Sequence, residues 1–158
     1  MIESIKRFFD RKIRPASGVT AREATEQALK LATAALLIEA TRADRTVKRR
    51  EQEIVASAVR TTFGLSPEET EELIALAEEE VDRSVSFYQF THLINDGFSL
   101  EQKKRLVELL WRVVFADREM EKHEEHLVRR IADLLYVPHK DFIRAKLKAK
   151  DEMKRGGG

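Results

Sequence analysis

The chain has 158 residues, 36% of them charged, yet its formal net charge is only +1 and it contains no cysteine. A length of this order suits one domain with a core that needs no covalent staples. The near-neutral sum argues against a nucleic-acid partner, whose phosphates call for a cationic excess, and the missing thiols exclude disulfides, thiolate nucleophiles and Cys-based zinc or iron–sulfur sites.

Apolar residues recur at three-to-four spacing along the chain and period-2 runs are absent, so the fold class is all-α. The pattern predicts helices over 2–13, 20–42, 48–63, 66–82, 86–96, 100–115, 121–136 and 138–150, a single compact bundle of about seven or eight helices. Short loops between them favour antiparallel neighbours. Residues 1–18 form a basic amphipathic helix and a Pro15-to-Gly18 hinge, 19–150 the helical domain, and 151–158, ending in three glycines, a disordered tail or linker.

The first helix, "MIESIKRFFDRKIRP", puts Ile2, Ile5, Phe8 or Phe9, and Ile13 on one side and Lys6, Arg7, Arg11, Lys12 and Arg14 around the rest. It reads as a peripheral membrane anchor or partner-binding helix acting through Ile5, Lys6, Arg7, Phe8, Phe9, Arg11 and Lys12, or as a helix that docks its apolar side on the bundle. Further along, "TARE" from Thr20, "SPEE" from Ser66, "SFYQ" from Ser86 and "SLEQ" from Ser99 read as capping boxes. In each, a hydroxyl accepts from an orphan backbone N–H while the acid or amide reaches back. Gly64 and Gly97 stand where left-handed C-terminal residues belong. The expected core is Leu29, Ala32, Leu36 and Ala40, then Ile54 and Ala58, Leu73 and Leu76, Phe90, Leu93 and Ile94, then Leu106, Leu109, Leu110, Val113 and Val114, and Leu127, Ile131, Leu134 and Leu135.

Residues 36–63 align without gaps on 109–136, 73 positions later, with seven identities: Leu36/Leu109, Leu37/Leu110, Ala43/Ala116, Asp44/Asp117, Arg45/Arg118, Glu51/Glu124 and Val55/Val128. Apolar character also persists at Ile38/Trp111, Val47/Met120, Ile54/Leu127 and Phe63/Tyr136. Each copy is a helix, a turn and a helix, so the bundle reads as two pseudo-symmetric repeats, too few for a solenoid.

Each turn carries an Asp at the end of its first helix and a Glu near the start of its second. On one reading these are structural: Asp44 and Asp117 accept from turn N–H groups, and Glu51 and Glu124 sit near the positive ends of their helices. On the other they are oxygen ligands for a hard divalent cation such as Ca²⁺, Mg²⁺ or Mn²⁺.

The twice-written pattern A-D-x-x-[apolar]-x-x-x-E resembles the TerB-like family, named for tellurite resistance. The stretches "LATAALLIEATRAD", "YQFTHLIN", "LVELLWRVVFAD" and "HEEHLVRRIADLLYVPHKDFI" are similar to a bacterial branch of stand-alone members, over roughly 24–147. The resemblance implies an all-α fold of two related halves and a metal-linked role in stress response, with Asp44, Glu51, Asp117 and Glu124 as the acidic set. Two departures stand out. Family members usually carry Gly after the Asp where this chain has Arg45 and Arg118, each costing on the order of 1 kcal/mol if positive φ is kept. Arg42, Arg45, Lys48, Arg49 and Arg50 crowd the first corner with positive charge, whereas the second keeps Glu121 beside Asp117 and Glu124. The second corner is therefore the expected cation site.

"HEEH" places His123 and His126 at i, i+3 beside Glu124. With Asp117 that would be a mixed nitrogen–oxygen site open to Zn²⁺, though it is not the H-E-x-x-H spacing; ordinary surface histidines are the other reading. His92 and His139 have no obvious partners. "PEETEELIALAEEEVD" is an acidic solvated helix and "RAKLKAKDEMKR" a basic helical end, a charge dipole able to steer a protein partner. Trp111, Phe115 and Phe98 read as core packing. No nucleophile elbow, P-loop or dinucleotide-binding glycine pattern occurs. The expectation is a non-enzymatic domain with a divalent-cation cofactor and a protein partner, in the cytoplasm or at the inner face of the membrane. The alternative is a protein- or membrane-interaction module whose Asp/Glu corners are structural.

Overall fold

The computed structural model describes residues 21–43, 48–79, 83–116 and 125–156. These form seven helices and no strand: α1 (Ala21–Ala43), α2 (Arg49–Phe63), α3 (Pro67–Glu79), α4 (Arg83–Gly97), α5 (Leu100–Ala116), α6 (Glu125–Leu134) and α7 (His139–Gly156). The all-α expectation holds. The first expected helix, 2–13, lies outside the described residues, and α7 runs on past its expected edge at 150 to Gly156.

α1 is built from Ala and Leu, residues with little side-chain entropy to lose in a helix. It packs against α2, α3, α4 and α5, and every residue from Leu31 to Thr41 is buried. Three buried polar side chains lie in that run, Thr33, Glu39 and Thr41, and the two hydroxyls bond back to the helix: that of Thr33 donates to the carbonyl of Leu29 at 2.6 Å and that of Thr41 to Ile38 at 2.9 Å. α5 is the second hub, packing against α1, α2, α6 and α7. Its Leu106, Leu109, Leu110, Val113 and Val114 are fully buried. Of the expected core, Ile54, Leu93 and Leu134 are only partly buried. Leu37, Ile38, Val55, Val59 and Trp111 join the core from the helices already assigned, and Phe142, Ala145 and Ala149 from α7.

The caps explain most of the boundaries. Ser66 N–H donates to Glu69 Oε1 and Glu69 N–H to Ser66 Oγ, both at 3.1 Å, starting α3 at Pro67. Ser99 and Gln102 exchange the same pair of bonds at 2.8 and 3.2 Å, starting α5. Two expectations fail. "SFYQ" is not a helix start, because α4 already begins at Arg83. Gly97 does not take positive φ; it is the last residue of α4, and the N–H of Phe98 continues the helical pattern to the carbonyl of Ile94.

The ends of α2 and α6 share one geometry. At Gly64 φ is +64°, and the N–H of Leu65 reaches back to the carbonyl of Arg60. At Tyr136 φ is +58°, with Val137 N–H bonded to the carbonyl of Ala132 and Tyr136 N–H to that of Asp133. Both are Schellman closures with a buried apolar residue, Leu65 or Val137, just beyond the left-handed one. The gapless pairing of Phe63 with Tyr136 therefore fails at this end: Phe63 is buried, Tyr136 is 76% exposed, and the equivalent of Tyr136 is Gly64. Asn95 of α4 helps finish α6, its side-chain amide donating to the carbonyl of Leu134 at 3.1 Å.

Candidate functional site

The two Asp/Glu corners begin where the interior helices stop. α1 ends at Ala43, one residue before Asp44, and α5 ends at Ala116, one residue before Asp117. Glu51 lies in the first turn of α2 and is half-buried, while Lys48, Arg49 and Arg50 beside it are exposed. Arg49 lies 3.7 Å from Glu53 on the same solvated face. The remaining expected ligands, Asp44, Asp117, Glu121, His123 and Glu124, lie outside the described residues, as do Ile5, Lys6, Arg7, Phe8, Phe9, Arg11 and Lys12. Among the described residues, no group of three or more His, Asp and Glu side chains is placed to hold a metal ion. His126 is exposed on α6. The two histidines expected to stand alone do not: His92 lies 3.6 Å from Asp96 one turn along α4, and His139 stacks on Phe142 with centroids 5.8 Å apart.

The feature that periodicity did not reveal is a charged groove of about 270 Å³ between α5 and α7, lined by Glu101, Lys104, Arg105, Glu108, Asp141, Arg144, Ala145 and Lys148. Two of its carboxylates are almost wholly buried, Glu108 at 5% and Asp141 at 6% exposure. Burial of a charge at this depth calls for partners, and each has them. Glu108 meets Lys148 at 3.0 Å and Arg105 at 3.4 Å, and Asp141 meets Lys104 at 3.6 Å. Arg105 also reaches Glu152 of α7 at 3.4 Å and grips Glu26 of α1 at 2.8 Å through its terminal nitrogen, with Nε at 3.2 Å. One guanidinium thus joins three helices, a task suited to its planar fork of donors.

The electrostatics follow from these contacts. Partial burial pushes the Glu26 carboxyl up, but the hydrogen bond and charge of Arg105 outweigh it and hold the pKa below the usual value. Burial works against Arg105, and Glu26, Glu108 and Glu152 more than compensate, so its charge is reinforced. The hydrogen bond from Lys104 to Glu101, aided by Asp141, raises the lysine. Acids and bases pair across the helix interface here, so the groove acts as an electrostatic clamp holding α7 on α5.

Beside the clamp, Trp111 is 1% exposed, stacks on Phe115 at 5.4 Å and meets Phe142 at 5.3 Å, as expected of core packing. Lys146 lies over the indole at 5.1 Å and bonds Glu125 of α6 at 2.8 Å, and Arg129 lies 5.7 Å over Phe142. Such cation–π contacts let charged stems cover an aromatic seam. Lys146 also lowers the Glu125 pKa through its hydrogen bond and charge.

A family model described as "Tellurite resistance protein TerB" matches residues 30–147. The chain belongs to the TerB family. The match begins inside α1 and ends inside α7, so it takes in most of α1, all of α5 and both corners, while Glu26, Lys148 and Glu152 of the clamp lie outside it. No curated protein and no solved structure matches the chain significantly. Among the described residues of this TerB-family protein, no helix is long and apolar enough to cross a membrane.

Proposed function

We propose that this TerB-family domain is a non-enzymatic binding module that takes up a divalent cation at the Asp117–Glu124 corner, assisted by Glu121 and His123. The corner of Asp44 and Glu51 serves mainly as a structural turn. What supports this reading is the place of Asp117 in the sequence, next after Ala116, the last described residue of α5. The C-terminal end of a helix exposes unpaired carbonyl oxygens and carries the negative end of the helix dipole. A carboxylate added there would give an oxygen-rich environment of the kind that hard cations prefer. The same position at the end of α1 is flanked by the exposed cations Lys48, Arg49 and Arg50, which oppose a second cation. Coupling of cation uptake to a protein partner in a stress response, in the cytoplasm or at its membrane face, belongs to the same proposal.

Calorimetric titration of Ca²⁺, Mg²⁺, Mn²⁺ and Zn²⁺ into the wild type, Asp117→Asn and Asp44→Asn tests it. Saturable binding should be abolished by the first substitution and weakened little by the second. Absence of binding tighter than about millimolar with every ion would sink the reading, because extracellular-type calcium sites already reach that affinity.

A further inference from the structure

α7 has two unlike sides. Asp141, Phe142, Ala145 and Ala149 face inward and are buried. The opposite side, at spacings of three and four, carries Lys140, Ile143, Leu147, Lys150 and Lys154, all exposed, while Arg144 stands at its border with the groove toward α5. From Lys140 to Lys154 this stripe runs about 21 Å at the helical rise. Leu147 is 62% and Ile143 38% exposed. No ion pair among the described residues engages Lys140, Lys150 or Lys154, in contrast to Lys104, Lys146 and Lys148, whose heads are held by carboxylates. Asp151 is the one acid in this sector of the helix.

Two adjacent aliphatic side chains ringed by cations that the fold itself does not use form an interfacial surface. The apolar pair suits the boundary between headgroups and acyl chains, and the cations suit anionic phosphate. We infer that the outer face of α7 is a docking surface for an anionic lipid bilayer, with Leu147 and Ile143 at its centre. The charge complementarity is specific to this side: on α3, the exposed Glu68 and Glu71 would be repelled by the same surface. This surface is made of residues other than the sequence segment 2–13, and the inference does not rest on cation uptake at the corners.

The test is sedimentation of the full chain with vesicles of phosphatidylcholine alone or with a quarter phosphatidylglycerol, in chelator so that no divalent ion contributes. The chain should bind the anionic vesicles only, and raising the salt to about 0.5 M should release it, because exposed charges are then screened. Lys140→Glu with Lys150→Glu, and separately Leu147→Asp, should each weaken binding on the order of tenfold or more. Arg49→Glu, an exposed charge on α2, should leave it unchanged. Arg49, Lys140, Leu147 and Lys150 are all exposed, and circular dichroism checks that each variant folds; either α7 variant alone suffices for the comparison. Three outcomes overturn the inference. The first is absence of binding to the anionic vesicles. The second is loss of binding in Lys6→Glu with Arg7→Glu while both α7 variants retain it. The third is a self-associated species, dispersed by Leu147→Asp, that does not bind vesicles.

Discussion

Positions 73 residues apart in the sequence fall on the two hub helices α1 and α5, yet their coverings are of opposite chemistry. α1 presents Ala28, Leu31, Ala32 and Ala35, all buried, and four helices close around it. The corresponding positions of α5 are Glu101, Lys104, Arg105 and Glu108, covered by α7 through paired charges. An apolar covering is strong and tolerant of partners, because burial is non-directional. A charged covering contributes less energy but accepts only a partner whose carboxylates and ammonium groups fall opposite, which makes α7 specific to α5. One helical pattern thus supplies both the centre of the core and the border where a further helix is selected.

The sharpest way to break this contrast is to exchange the chemistry. Ala35→Glu places in α1 the residue that α5 tolerates at the corresponding position, Glu108. Without partners, a carboxylate buried there should cost several kcal/mol, enough to unfold the domain. Far-UV circular dichroism at 25 °C reads this directly, and a folded variant of near wild-type stability would show that α1 is not sealed. Next, Trp111→Ala removes the side chain that α5 and α7 share, with an expected loss of about 3–5 kcal/mol in urea denaturation. The reverse exchange, Glu108→Ala, should cost only about 1–2 kcal/mol, since Arg105 and Lys148 can recover water once the carboxylate is gone.

The helix ends sharpen the comparison at a smaller scale. Gly64→Ala adds a Cβ that meets no atom within 4 Å, so its cost is conformational alone, about 1 kcal/mol. Tyr136→Gly relieves the same strain at the end of α6 and should stabilise by about 0.5–1 kcal/mol, because the exposed ring leaves little packing behind. Opposite signs of the two shifts in denaturation midpoint are the decisive result.

The smallest effect concerns pH. The folded pKa of Glu26 lies below its unfolded value. Its contribution is full above the unfolded pKa and is lost as pH falls through the folded one. Wild type should therefore be more stable than Glu26→Gln at neutral pH, with the gap in melting temperature closing as the carboxylate range is crossed. A gap that persists at the acid end would show that Arg105 is not the source of the depression.

Much of this molecule was legible in its sequence. Three-to-four spacing located every helix of the described residues, and Ser66–Glu69, Ser99–Gln102 and Gly64 marked boundaries through bonds made within one turn. The TerB likeness was written in the Asp/Glu corners, and the family match covers both. What failed were local signals that tertiary packing overrode. Ser86 has cap-like neighbours but falls inside α4, and Gly97 could adopt positive φ but stays helical, whereas Tyr136 adopts it against its own preference to bury Val137. Of the candidate site, only the helix ends and Glu51 are described, and neither corner's ligand set is assembled among the described residues.

The division has a physical cause. Helix period, caps and turn residues depend on neighbours at most four or five positions away, so the sequence alone determined an all-α chain and the approximate place of its helices. The clamp joins Arg105 to Glu26 across 79 residues and to Glu152 across 47. Nothing in the pattern around any one of these charges distinguishes a paired one from a solvated one. Only the packing of α7 on α5 decided that Asp141 and Glu108 are buried among cations while Lys140, Lys150 and Lys154 face outward. The free energy of a charge is set by what surrounds it in space rather than along the chain.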